Sequence, residues 1–393
     1  MRNMGIVGYF YFGQGYSLAS LVLLIPLYIK DVLGVGDYSH AVTISVIIII
    51  PWYFKVLFGV LSDNFPISVY RRKPYLAIAT VFSIVGWLTI GIHTSANTLF
   101  VLSGVCIAIG SALADSVVDG IAVEMTPPEF IGRLQGVAWG SRGLGIGITG
   151  VISSQIVDHY GWQQMFYVSS IFGITISFIA LFLPSTGFGV ITNRIARIKE
   201  SFTHILNKNL AFEELQYFFW SGTALCIVPL LTVIMDREFH YSIVEIGYGS
   251  LIFAIGSFIG AIINGIVFDK AETQRNLTLL FCGFGFSYLL DIVFLLFHGI
   301  IIEVIFLIFV GGAAGAFESY QLKIIQEATT EGFESTGFAV YTGVSNIGQF
   351  AIGAVFIVYL SEWLNVSFFI PMLILLVCVW IAYRKILKIK SLD

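Results

Sequence analysis

Long apolar runs constrain this chain more than any other feature. Stretches able to cross roughly 30 Å of hydrocarbon lie at about 5–29, 40–61, 75–93, 98–124, 132–157 and 163–183. Six more follow at about 212–235, 246–268, 276–298, 302–326, 336–360 and 366–384. A polar connector from Leu183 to Ala211 separates the two sets. Hydrocarbon offers backbone groups no partners, so such runs must satisfy their own N–H and C=O groups as helices. Only 11% of the residues are charged, against about 25% in a soluble domain. The expected architecture is therefore an all-α membrane protein of twelve transmembrane helices. It divides into an N-terminal six-helix bundle over 1–183, a linker over 184–210 and a C-terminal six-helix bundle over 211–393.

The basic residues orient this arrangement. With both termini inside, fifteen of the 20 Lys and Arg are cytoplasmic. They are Arg2, Arg71, Arg72, Lys73, Arg133, the four of the connector, Lys270, Arg275, Arg384, Lys385, Lys388 and Lys390. Lys30 and Arg237 fall outside, while Lys55, Arg142 and Lys323 stay within helices. That asymmetry satisfies the positive-inside rule and predicts that both termini are cytoplasmic; the plasma (inner) membrane is the expected location.

The halves also repeat. Shifted by 203 positions, Asp115 and Ser116 fall on Glu318 and Ser319, Glu124 on Glu327, Gly140 on Gly343 and Gly145 on Gly348. Pro26 and Leu27 meet Pro229 and Leu230 at that offset, and at 206 positions Gly59 and Asp63 match Gly265 and Asp269. A duplicated six-helix unit is a transporter architecture, with the substrate site near the midplane between the repeats.

Charge inside the apolar runs marks the candidate site. An ionised group near the bilayer centre costs at least about 2.5–3.5 kcal/mol unless paired or hydrated. Asp115, Asp119 and Arg142 should therefore point inward. Asp115 lies about 15 Å above the cytoplasmic end of the fourth helix at 1.5 Å per residue, and Arg142 sits at a similar depth on the fifth. The two can pair, and Asp119, one turn below Asp115, is within reach of Lys55 or Arg133. A carboxylate with a removable cationic partner suits proton coupling; a permanent brace between two helices is the structural alternative. In the second half Asp291, Glu318 and Lys323 are further candidates for binding substrate or protons, although Lys323 also reads as snorkelling to the cytoplasmic surface. Trp52, Trp139, Tyr320 and Tyr341 could stack on a planar ring in the cavity.

At the end of the second run, Gly59, Asp63, Arg71 and Arg72 form a Gly-x-x-x-Asp and Arg-Arg pattern that suits a cytoplasmic gate. This loop resembles that between helices two and three of the major facilitator superfamily. The longer pattern is similar to the folate-biopterin transporter family within it. It comprises Lys55, Gly59, Ser62, Asp63, Phe65, Pro66, Ile67 and Tyr70 to Tyr75, then Asp115, Asp119, Glu124, Gln135, Trp139 and Arg142. The resemblance is good over about residues 45–165 and architectural beyond. It implies the superfamily fold and uptake of a pterin-like or other small organic solute by alternating access, typically as proton symport. The superfamily's antiporter signature has a Gly-Pro pair in the fifth helix, where this chain has no proline. The muropeptide-permease and acetyl-CoA-transporter relatives share a similar acidic fourth helix, so a muropeptide-type permease or an exporter of the superfamily is the alternative, and a sensor that binds without transport is the alternative of another class.

Enzymatic chemistry has no footing: neither His-Glu-x-x-His nor Gly-x-Ser-x-Gly occurs. Cys106, Cys226, Cys282 and Cys378 lie in apolar runs without metal-ligand spacing and read as small core residues. No metal, cofactor or nucleic-acid partner is expected, and the functional unit is expected to be a monomer.

Overall fold

The computed structural model describes residues 2–67, 72–180, 182, 194–206, 210–270, 272–296, 299–329 and 332–390. Among these, twelve long helical segments run up and down, joined by short turns. They are α1 (Met4–Asp31), α2 (Tyr38–Ile48, Ile50–Tyr53 and Lys55–Asn64 in one bent rod), α3 (Lys73–Ile90), α4 (Thr98–Met125), α5 (Ile131–Tyr160) and α6 (Trp162–Ala180). After the connector helix α7 (Arg194–Leu206) come α8 (Ala211–Phe239), α9 (Ile243–Lys270), α10 (Gln274–Leu296), α11 (Ile300–Ala328), α12 (Glu334–Leu364) and α13 (Phe369–Lys390). Eight of these are both long and apolar enough to cross a membrane. The bent α2 falls short because Pro51 interrupts it, and α5 because glycines and Arg133, Gln135 and Arg142 dilute its apolar character.

Local chemistry sets the irregularities. Pro51 brings no N–H, and its ring collides with a carbonyl one turn earlier. The α2 rod accordingly breaks at Ile49 and again at Phe54, a feature not expected from its apolar run. Ahead of Pro26, α1 widens into a π turn at Ser20–Leu24, and α8 is interrupted between Ala224 and Ile227 ahead of the matching Pro229. The connector is also more ordered than its polarity suggests. Its helix α7 straddles both halves, with Arg194 over the Phe65 ring at 5.1 Å and Arg197 over Phe333 at 5.0 Å.

The repeat appears in the packing. Helix α1 crosses α5 so tightly that a Cβ on Gly145 would lie 1.9 Å from the Phe12 carbonyl oxygen. At the matching crossing of α8 and α12, a Cβ on Gly348 would lie 2.3 Å from the Phe219 carbonyl oxygen. Between the halves, Gly59 of α2 abuts the Ser335 carbonyl of α12, and Gly265 of α9 abuts the Gly132 carbonyl of α5. Small residues let helix backbones approach where lipid supplies no hydrophobic drive. The fold is thus two pseudo-symmetric six-helix bundles meeting along α2–α12 and α5–α9.

Candidate functional site

The α2 break turns Trp52 and Lys55 inward, toward α4. Lys55 is essentially fully buried and donates to Asp115 and, at 3.1 Å, to Asp119. Arg142 of α5 donates to the other Asp115 oxygen at 2.8 Å and to Gln14 of α1, whose amide in turn donates to Asp115. Tyr11 donates to Asp119. The close α1–α5 crossing delivers these α1 partners, since a Cβ on Gly15 would lie 2.1 Å from the Arg142 carbonyl oxygen. Two cations and two carboxylates therefore share one buried network. The Arg142 guanidinium lies 4.8 Å from the Trp139 ring, 5.2 Å from Tyr11 and 5.8 Å from Trp52, within cation–π range.

This cluster borders a cavity in two connected chambers. The larger, about 60 Å³, is mainly apolar and lies toward the 31–38 turn, with Leu18, Leu23, Ile146 and Phe253 among its walls. The smaller, about 30 Å³, holds Lys55, Asp115 and Asp119. Trp52, Trp139, Arg142, Glu318 and Asn346 line both. Glu318 comes from α11, the second-half counterpart of α4, and its Oε2 is buried without a hydrogen-bond partner.

Contacts between the halves close both ends of the cavity. At the end carrying the termini, Asp63 accepts from the Thr336 backbone N–H and hydroxyl, each at 2.8 Å, capping α12. Arg72 pairs with Asp63 at 2.5 Å, Glu124 at 2.6 Å and Glu334 at 2.9 Å. The repeat supplies a second cap: Asp269 accepts from Gly132 N–H at 2.7 Å and Arg133 N–H at 2.9 Å at the start of α5. Carboxylates are favoured at helix N-termini by the free N–H groups there. At the opposite end Asp236 of α8 receives Lys30 at 3.0 Å and Tyr38 at 2.6 Å. Ser39 N–H also reaches Glu362 at 3.2 Å.

The structure gathers Trp52, Lys55, Asp115, Asp119, Trp139, Arg142 and Glu318 at one place, and Gly59, Asp63 and Arg72 at another. Three sequence candidates lie elsewhere. Lys323 is not beside the cavity; it binds Glu272 and Glu327, each at 2.5 Å. Five residues beyond Glu318, it is rotated by about 140° on a 3.6-residue turn, which faces it away. Tyr320, two residues on, likewise turns away and donates to Glu272 at 2.7 Å. Tyr341 donates to Glu214 at 2.5 Å inside the second bundle. Arg71 and the Asp291 side chain lie outside the described residues. Gln14 and the Lys30–Asp236–Tyr38 latch were missed. The available signals were an amide within an apolar run and the two isolated cations assigned outside.

A BT1 family model matches residues 14–221, and a Major Facilitator Superfamily model matches 215–391. The chain belongs to the BT1 family of the major facilitator superfamily. A folate-biopterin transporter of Synechocystis is 26% identical over 219 residues, 54% of this chain and 44% of that protein. Probable folate-biopterin transporter 4 of Arabidopsis thaliana is 33% identical over 141 residues, 34% of this chain and 28% of its own length. Each match spans less than half of the relative. The human organic anion transporter MFSD10 superposes with a TM-score of 0.73 at 11% identity, covering 98% of both chains, a likeness of fold. This BT1-family member shares its family with these folate-biopterin transporters, and eight of its described helices are long and apolar enough to cross a membrane.

Proposed function

We infer that this protein is a secondary active transporter moving a pterin- or folate-like solute by alternating access, with proton symport through Asp115 and Asp119. The observation that carries this reading is the buried charge network lining a cavity closed at both ends by contacts between the halves. Rocking one bundle against the other would release the Asp63–Thr336 and Asp269–Gly132 caps at one end, or the Lys30–Asp236 latch at the other. Around the cavity three carboxylates (Asp115, Asp119, Glu318) face two cations (Lys55, Arg142), so one proton brings the group to neutrality. Burying net charge in a low dielectric is costly, which ties movement of the closed form to uptake of that proton. The rocking units are residues 1–183 and 211–393, joined by 184–210. The protein works as a monomer in the plasma membrane with both termini cytoplasmic.

The test is uptake by proteoliposomes of folate, biopterin, amino acids, sugars and peptides, with and without an inward proton gradient. Gradient-driven pterin or folate accumulation is expected, and Asp115→Asn and Asp119→Asn should uncouple it from the gradient. Accumulation of peptides alone would favour a muropeptide-type permease, and outward flux an exporter. Binding without accumulation would point to a sensor.

A further inference from the structure

Among the described residues, three buried polar atoms beside the cavity have no hydrogen-bond partner: Nε of Arg142, Nε1 of Trp52 and Oε2 of Glu318. All three residues line both chambers. Buried polar atoms are nearly always satisfied, and one that is not calls for an explanation. Opposite charge has not joined Glu318 to Arg142, whose ion pair is with Asp115 at 2.8 Å. The site therefore holds an unused acceptor and two unused donors among residues that line the cavity with Trp139. An occupant matching this set is planar, offers N–H donors along one edge and carries an acceptor beside them.

A 2-amino-4-oxo-pteridine has that pattern: its 2-amino group and N3–H are adjacent donors, and its 4-oxo group is an acceptor. Resting on the reading of the cavity as a pterin or folate route, we propose that Glu318 is the residue that selects this ring. Its carboxylate accepts from the 2-amino group and N3–H together, and Arg142 Nε–H donates to the 4-oxo oxygen. The planar fork geometry makes paired bonds of this kind both strong and selective. A 2,4-dioxopteridine (lumazine) would instead set its 2-oxo oxygen against the carboxylate, a repulsion that rejects it. These three atoms are buried in this structure, so the ring enters as the halves part and the Glu318 edge is read in the open form.

The experiment measures binding of pterin and lumazine to the purified full-length protein in lipid nanodiscs, for the wild type and Glu318→Gln. The wild type should prefer pterin by roughly 10- to 100-fold, as one bidentate pair discriminates. Glu318→Gln should reverse the preference, because the amide donates to the 2-oxo group of lumazine while its carbonyl accepts N3–H. Lumazine binding by the variant also shows that it is folded. If Glu318→Gln is not monodisperse, Glu318→Asp keeps the charge and shortens the reach, and should weaken pterin several-fold while retaining the preference. Pterin binding by the wild type with no preference over lumazine, or a preference unaltered by Glu318→Gln, would overturn the role of Glu318 and leave the transport reading standing. A wild type that binds neither pteridine would overturn the pterin route itself, and this assignment with it.

Discussion

Asp115 and Glu318 occupy matching positions of the two halves, on α4 and α11, yet their surroundings have diverged. Asp115 is held by Lys55, Arg142 and Gln14. Glu318 receives no comparable partner, and its neighbours one turn away are neutral: Gln321 donates to Ser221 at 2.7 Å and to Ser345 at 2.8 Å. The duplication preserved the helix crossings and the carboxylate position but concentrated the cations in the first half. One half holds charge in a closed network, and the other presents an unsatisfied group to the cavity.

The strongest way to break this contrast is to remove the shared cation. Lys55→Met leaves Asp115 and Asp119 buried with less compensation and should cost about 3–5 kcal/mol, read as a lower unfolding temperature in detergent. Asp119→Asn in the same background should restore part of the loss; no restoration would mean that the carboxylates are not held against each other by Lys55. Next come the two gate caps. Asp63→Asn weakens the cap on α12 and loosens Arg72, which Asp63 holds against Glu334 across the seam, about 3 kcal/mol of closed-state stability, whereas Asp269→Asn weakens chiefly a cap, about 1 kcal/mol. Reactivity of engineered cysteines facing the cavity should rise far more in the first variant, and equal increases would remove the asymmetry. In the second half, Glu318→Gln should alter unfolding by less than about 1 kcal/mol, since it gives up no protein hydrogen bond at Oε2.

The smallest effect concerns Glu272, in the turn between α9 and α10. Burial opposes its charge, but the hydrogen bond from Lys323 and the nearby Lys390 hold its carboxyl below the usual range. A lowered value stabilises the fold at neutral pH, and that contribution disappears as pH falls through it. Unfolding temperature should thus decline modestly in acid below about pH 4, and Glu272→Gln should flatten the decline.

Much of this was legible before any coordinates. Apolar runs and basic loops report directly on lipid and on topology, and an intramembrane Lys55, Asp115, Asp119 or Arg142 has few places to go but inward. The matches of Gly145 to Gly348 and of Asp63 to Asp269 were readable because backbone contact and helix capping each demand a particular residue. Facing direction was harder: Lys323 and Tyr320 share a helix with Glu318, but a few residues of rotation carry them elsewhere. Tertiary partners were harder still, because Gln14 meets Asp115 only through the α1–α5 crossing. The helix in the connector eluded a reading tuned to apolar length, as its order comes with Arg194 and Arg197 set over Phe65 and Phe333.

The seam between α5 and α9 has a mechanical consequence. Gly132, Gly136 and Gly147 of α5 face Gly265, Ala261 and Ala254 of α9, while Phe258 seats over Gly140, so along much of this seam the two halves meet on backbone. Interlocked large side chains would act as gear teeth that must disengage, with rotamers to rearrange at every step. In the proposed rocking cycle, a seam with few such teeth would let one half roll on the other at low friction and leave the detents in its travel to the polar latches at either end.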